Sequence, residues 1–203
     1  MLDNFTSYFD LPPLDPREGE PPEKALVGLC GGQQLLDGLL TIPKREESIH
    51  LCAAINRAFP RLGGAFSLFA YTWRGTGFAL TRWEGLDSDN VVIFFPDRFL
   101  CQELPMPIER FLDMDVASGL VAYLEEDGFD QWCDEGGRLA YGTCAGYDDP
   151  LLCDGMRDKE RPPLEAMPIQ PYWDHAAEVV GMRERHAGVW AESTFKFWEP
   201  PMF

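Results

Sequence analysis

The string with most resemblance to an enzyme motif is Gly142-Thr143-Cys144-Ala145-Gly146, a Gly-x-Cys-x-Gly pattern. Glycines on both sides of a nucleophile let the chain turn sharply and expose it, as in the Gly-x-Ser-x-Gly elbow of hydrolases. A thiol hydrolase would pair Cys144 with a histidine base and an orienting acid, and the candidates are His175, His186, Asp148, Asp149 and Asp154. An elbow needs a helix directly after it, whereas Tyr-Asp-Asp-Pro follows here. We therefore predict that the chain is not an enzyme and keep the hydrolase as an alternative.

The spacing of cysteines, histidines and glycines does not fit a metal or cofactor site. No two of the six cysteines have the CxxC spacing of a zinc site, and the three histidines form neither HxxxH nor HExxH. The pairs Gly31-Gly32 and Gly63-Gly64 lack the Lys-Ser or Lys-Thr that completes a phosphate loop. The sequence predicts neither a metal nor a cofactor.

Acidic residues concentrate between positions 121 and 155, where nine acids accompany a single base, Arg138. Aromatic residues are interleaved with them, and an aromatic anchor inside a charged rim is typical of a protein interface. The same aromatics fit a core equally well, and each acid alone fits a solvated surface. The predicted binding residues are Glu125, Glu126, Asp127, Asp130, Trp132, Asp134, Glu135, Tyr147, Asp148, Asp149 and Asp154.

The net charge decides which partners suit this surface. With 34 acidic and 17 basic residues the chain carries −17, the wrong sign for binding nucleic acid or an anionic membrane. A basic protein partner suits it, because complementary charge accelerates association. The start MLDNFTSYFD lacks the basic and apolar regions of a signal peptide, and no window holds 18 consecutive apolar residues. We expect a cytoplasmic protein with reduced cysteines.

Hydrophobic periodicity and turn residues predict the elements that would position these groups. The predicted helices cover 23–30, 46–59, 107–113, 115–127 and 171–185, and the helix 46–59 is expected to bury Ile49, Cys52, Ala53 and Phe59. The predicted strands cover 38–42, 65–73, 78–83, 91–95, 100–104, 138–144 and 151–153. Because the order contains no regular βαβ units, we predict an α+β fold with a mostly antiparallel sheet flanked by helices.

Composition divides the chain into three parts. Residues 1–24 are an N-terminal segment whose Phe5, Tyr8, Phe9 and Leu11 are expected to dock on the core. Residues 25–190 form a single domain, in which 104–115 is either a junction between subdomains or a loop. Residues 191–203 are an aromatic and Pro-rich tail.

Several short stretches resemble the SUKH superfamily of bacterial immunity proteins, in particular the branch that protects against type VI secretion toxins. The stretches are Cys30-Gly31-Gly32-Gln33, Asp37–Ile42, Trp73–Leu80, Pro107–Leu112, Gly146–Gly155 and Leu164–Trp173. They extend over about residues 25–175. The resemblance implies a non-catalytic α+β domain that binds a cognate toxin, often a nuclease, and blocks it.

The resemblance and the charge together predict an immunity protein that occludes a basic toxin through its acidic surface. A homodimer is left open. Two alternatives remain: the hydrolase that uses Cys144, and an adaptor of the same fold that holds a partner or a second copy with the tail 195–203.

Overall fold

The computed structural model describes residues 2–13, 20–62, 66–81, 90–117, 124–147, 163–186 and 195–197. Its helices are α1 (Asp3–Tyr8), α2 (Pro22–Cys30), α3 (Arg45–Ala58), α4 (Ile108–Arg110), α5 (Glu126–Asp134) and α6 (Ile169–His186). Its strands are β1 (Gln33–Leu35), β2 (Leu40–Ile42), β3 (Phe66–Thr72), β4 (Gly77–Thr81), β5 (Asn90–Phe95), β6 (Leu100–Leu104), β7 (Thr143–Gly146), β8 (Glu165–Pro168) and β9 (Phe195–Phe197). Short 3-10 turns cover Leu36–Gly38 and Pro60–Leu62, and a π-helix, Phe111–Val116, directly continues α4.

The main sheet is a meander. Its order is β1-β2-β3-β4-β5-β6-β9, and each neighbouring pair from β1 to β6 is antiparallel. The last strand, β9, lies parallel to β6, so residues 195–197 of the predicted tail belong to the sheet. Strands β7 and β8 form a separate antiparallel pair. The predicted α+β fold with a mostly antiparallel sheet is confirmed.

Both faces of the sheet are covered, which explains why its central strands are largely apolar. In β5, Val91 and Ile93 belong to a core cluster with α1, α2 and the π-helix, whereas Val92 and Phe94 face a second cluster with α3 and α6. A strand buried on two faces needs apolar residues at every position rather than at alternate ones. The run VVIFF was therefore a reliable strand signal.

The buried face of α3 is only partly the predicted one: Phe59 is buried and Cys52 is half-buried, but the other two residues are not inside. The residues inside are Leu51, Ala54, Ile55 and Ala58, whereas Ile49 is 60% exposed and Ala53 is also exposed. The buried set has the i, i+3, i+4, i+7 spacing of an amphipathic helix. Small alanines on that face pack within the core cluster that α3 shares with the sheet and α6, so the bulk of Ile49 was a misleading guide.

Two further predicted elements have different bounds. The helix predicted over 115–127 is interrupted, because Glu125 adopts a left-handed φ of 52° and a new helix, α5, begins at Glu126. The strand predicted over 138–144 begins only at Thr143. The strand predicted over 151–153 lies outside the described residues.

No helix in the described parts of the chain has the length and apolarity to cross a bilayer.

The N-terminal segment packs into the first core cluster as predicted, through Leu2, Phe5 and Phe9. The boundary expected after residue 24 falls inside α2, because Pro22 occupies the first turn of that helix, where its fixed φ suits helical geometry. The stretch 104–115 holds the end of β6, α4 and most of the π-helix.

Asp113 on the π-helix fastens α1 to the domain. Its carboxylate accepts hydrogen bonds from the backbone N–H of Asn4 (2.7 Å) and of Phe5 (3.1 Å), and from Nδ2 of Asn4 (3.2 Å). These N–H groups at the start of α1 have no acceptor within the helix. The carboxylate therefore supplies a hydrogen-bond acceptor that the helix itself does not provide.

Replacing Asp113 with alanine is expected to lower the free energy of unfolding by about 1–3 kcal/mol, because two backbone donors lose a charged acceptor. Amide hydrogen exchange should show reduced protection across residues 3–8 and unchanged protection in β4 and β5. The variant Asp113→Asn keeps one acceptor oxygen and should fall between the two proteins. Unchanged protection of α1 in Asp113→Ala would show that Leu2, Phe5 and Phe9 hold the helix without this contact.

Candidate functional site

Helix α5 carries five of the eleven predicted binding residues, and aromatic packing holds it in place. Trp73, at the end of β3, lies 5.5 Å from the Phe129 ring and 5.9 Å from the Trp132 ring, centroid to centroid. Its indole Nε1 donates to the carbonyl of Leu124 (2.8 Å), just before the helix. The helix ends at Asp134, and two residues later Gly136 has a φ of 99°. Tertiary contacts therefore form this helix in spite of its internal glycine and its many acids.

The solvent face of α5 is a row of carboxylates. Asp127, Asp130 and Asp134 are exposed and follow the i, i+3, i+7 spacing, which places them on one side of the helix. We call these three residues the acidic ridge. Neighbouring carboxylates repel one another unless a cation lies near, so the ridge favours contact with basic groups.

A groove of about 830 Å³ runs along one flank of the ridge. We call it the Trp132 groove, and its lining includes Trp132, Glu125, Glu135, Glu165 and Leu164. Trp132 is half-buried, and its Nε1 donates to the Leu164 carbonyl at 3.3 Å. Gly137 lies flat against the indole, where a Cβ atom would come within 2.3 Å of the ring. The indole therefore has a fixed orientation in the groove wall.

Arg74 lines the groove and is bound on several sides. Its Nη2 lies 2.9 Å from Asp97 Oδ2, and its Nη1 lies 3.3 Å from Glu125 Oε2. The guanidinium also lies over the rings of Tyr147 (5.1 Å) and Trp73 (5.5 Å). Only 12% of the Arg74 side chain is exposed, and its charge is compensated by two carboxylates. Arg74 is therefore neutralised, and the other charged residues that line the groove are Glu135, Glu165 and Arg138.

A second hollow of about 540 Å³ lies on the other flank of the ridge. We call it the Asp37 hollow; it is lined by Gln34, Asp37, Cys133, Asp134, Arg138 and Leu139. Arg138 Nη1 donates to the carbonyls of Cys133 (2.8 Å) and Gly137, at the end of α5. Because Arg138 caps this negative end of the helix, its charge is already engaged. Gln34 and Asp37 were not among the predicted site residues.

The predicted binding residues thus separate into three groups: those at the surface or in the groove, those outside the described residues, and those with partners inside the fold. Asp127, Asp130, Asp134 and Glu135 are exposed on or beside α5, and Trp132 lines the groove. Asp148, Asp149 and Asp154 lie outside the described residues.

Glu125, Glu126 and Tyr147 have partners within the fold, so each of them also has a structural role there. Glu125 pairs with Arg74 and also lies 3.5 Å from Arg98. Glu126 accepts a hydrogen bond from the Tyr8 hydroxyl. Burial, together with this bond, raises the pKa of Tyr8 to about 12. Tyr147 is only 5% exposed and covers the Arg74 guanidinium, so it supports the site from beneath.

The geometry at Cys144 does not support the thiol hydrolase. Cys144 lies within strand β7, paired with Met167, instead of on a turn between a strand and a helix. Its side chain is fully buried, and burial raises the pKa of the thiol far above its ordinary value. A catalytic thiol needs the opposite, exposure and a lowered pKa.

Iodoacetamide should therefore fail to modify Cys144 in the folded protein, since only an accessible thiolate reacts quickly. The half-buried Cys133, which lines the Asp37 hollow, is the internal control and should react first. Peptide mass spectrometry after a short exposure measures both. Rapid modification of Cys144 under native conditions would restore the hydrolase hypothesis.

A metal centre finds no support among the residues that the structure describes. No group of three or more His, Cys, Asp or Glu side chains there is placed to hold a metal ion. The acids of the ridge lie along a helix instead of converging on one point.

Comparison with known proteins gives the fold alone. No family model matches the chain, and no curated protein matches it. Among solved structures, the crystal structure of Atu4351 from Agrobacterium tumefaciens is similar, with a TM-score of 0.59. The alignment covers 88% of this chain and 89% of that one, at 14% identity. The α+β architecture is thus shared with Atu4351 over most of both chains.

Proposed function

We propose that this protein binds a basic protein toxin in a one-to-one complex and neutralises it, as an immunity protein does. The observation that carries the proposal is the acidic ridge, which lies between the Trp132 groove and the Asp37 hollow. A convex row of carboxylates with a concave region on each side provides both charge and shape for one partner.

Electrostatics at the site support a basic partner. Both arginines that line the concave regions are engaged, Arg74 by Asp97 and Glu125, and Arg138 by backbone carbonyls. The carboxylates of the ridge, in contrast, face solvent. The net charge of −17 extends the attraction beyond the site and would accelerate encounter with a cation-rich surface.

A nuclease toxin is the class of partner that we favour. Its substrate site must be positively charged to bind phosphates, and an acidic protein that occupies such a site prevents nucleic acid from entering. The proposal includes membership of the SUKH superfamily and a cytoplasmic location, where such a toxin would meet its substrate.

The first test is a pull-down of the tagged protein from its native cells, washed at low and then at high salt, with mass spectrometry of what remains. We expect one basic protein with a toxin domain, in equal amount, and a larger yield at low salt. Recovery of many weak partners, or of none, would contradict the proposal.

Light scattering of the purified protein separates a homodimer from a monomer before the partner is added.

A further inference from the structure

The turn between β1 and β2 holds its backbone in an unfavourable conformation. Leu36, Asp37 and Gly38 have φ angles of 47°, 55° and 107°, three consecutive residues in the left-handed region. Glycine accepts this conformation freely, whereas in leucine the Cβ atom crowds the following carbonyl. Such strain persists only where the surrounding structure imposes it, and it occurs preferentially at functional sites.

Leu36 also exposes apolar surface. It is 47% exposed and is one of three exposed large hydrophobic residues in the described part of the chain, with Ile49 and Met114. Those two lie in helical segments of right-handed backbone, so Leu36 alone combines exposure with strain. Folding gains nothing evident from a leucine here, since glycine or asparagine would suit the backbone better.

The neighbouring structure fixes the position of Leu36. The pairs Leu35–Leu40 and Gln34–Thr41 close the hairpin, and the N–H of Leu39 donates to the Leu36 carbonyl at 3.1 Å. Gly38 packs closely on Leu139, where a Cβ atom would lie 3.2 Å from that side chain. The side chain of Leu36 is therefore presented from a rigid turn, which lowers the entropy lost on binding.

The hollow next to this turn holds two carboxylates and one guanidinium, that of Arg138, which caps the end of α5. Asp37 lines the Asp37 hollow together with Asp134, which also belongs to the acidic ridge. The turn and the ridge thus border the same hollow. An exposed apolar side chain next to carboxylates resembles the anchor and rim of a protein interface.

We propose that Leu36 is the apolar anchor of the interface with the basic partner, and that the partner surface has an apolar depression with lysine or arginine at its rim. This inference rests on the proposed function and adds the residue that holds the complex together. A second copy of this chain would place carboxylates against carboxylates, so charge complementarity favours a basic protein instead.

Site-specific photo-crosslinking tests this directly. The photoreactive amino acid p-benzoylphenylalanine replaces Leu36, Asp130, Ile49 or Met114 in separate full-length proteins, which are irradiated in the native cells. We expect positions 36 and 130 to capture the same protein, with an excess of lysine and arginine, and positions 49 and 114 not to capture it. With that protein purified, Leu36→Asn should raise the dissociation rate at least tenfold and leave the melting temperature unchanged or higher.

The outcomes separate the two proposals. Capture at position 130 without capture at 36, or a Leu36→Asn protein that dissociates as slowly as the wild type, overturns the anchor and leaves the proposed function standing. Capture at neither position overturns both. If position 36 captures a second copy of this chain instead, the proposal that Leu36 contacts a basic partner is overturned. The matched variants Ile49→Ala and Met114→Ala should change the dissociation rate less than twofold.

Discussion

Replacing Arg74 with alanine is expected to lower the free energy of unfolding by about 3–5 kcal/mol, the usual cost of breaking a buried ion pair from one side. The substitution removes the cation shared by Asp97 and Glu125, and only 12% of the Asp97 side chain is exposed. It also removes the guanidinium from the rings of Trp73 and Tyr147. Urea denaturation followed by tryptophan fluorescence measures the loss.

Two further variants separate charge from geometry. Arg74→Lys keeps the charge and loses the planar fork that reaches two carboxylates, so its stability should lie between those of the wild type and Arg74→Ala. Arg57 and Asp174 form a solvent-exposed ion pair, with 57% and 41% of their side chains exposed, respectively. Arg57→Ala should therefore cost less than about 1 kcal/mol. Equal losses at Arg57 and Arg74 would contradict a structural role specific to Arg74.

The second prediction concerns association with the basic partner. Reversing two charges of the acidic ridge, Asp130→Lys with Asp134→Lys, should slow association roughly tenfold or more at low salt, because the ridge steers the encounter. The difference from wild type should shrink as salt rises and screens the charges. Stopped-flow or surface-based kinetics over a salt series, with the partner identified by the pull-down, gives both quantities.

The matched control changes two exposed acids elsewhere, Glu46→Lys on α3 with Glu178→Lys on α6. It alters the net charge by the same amount and leaves the ridge intact. We expect only a small decrease in its association rate. If both double variants slowed association equally, net charge alone would drive the encounter and the ridge would have no special place in it.

Much of the fold was predictable because the signals were local. Turns marked by glycine and the largely apolar runs of β3, β4 and β5 predicted the meander, since a strand buried on both faces has few polar positions. The face of α3 was harder to predict, because alanines at 54 and 58 carry little hydrophobic signal. Their burial depends on how α3 packs against the sheet and α6, which the sequence of the helix does not encode.

The site was less predictable, because its parts come from distant segments. The acids around 125–135 were found from their density, but which of them are free depends on partners such as Tyr8 and Arg74. The Asp37 hollow joins β1, α5 and the segment after α5, and no spacing rule connects Gln34 to Arg138. The left-handed backbone at Leu36 and Glu125 was equally hidden, since tertiary contacts impose it against local preference.

The most direct test of neutralisation is growth of a laboratory bacterium that expresses the recovered partner. We predict that the partner alone stops growth, that co-expression of this protein restores it, and that the Asp130→Lys/Asp134→Lys protein restores it poorly at equal abundance. The Glu46→Lys/Glu178→Lys protein should protect as the wild type does. A partner that leaves growth unaffected, or growth arrest that the wild-type protein does not relieve, would contradict the immunity function.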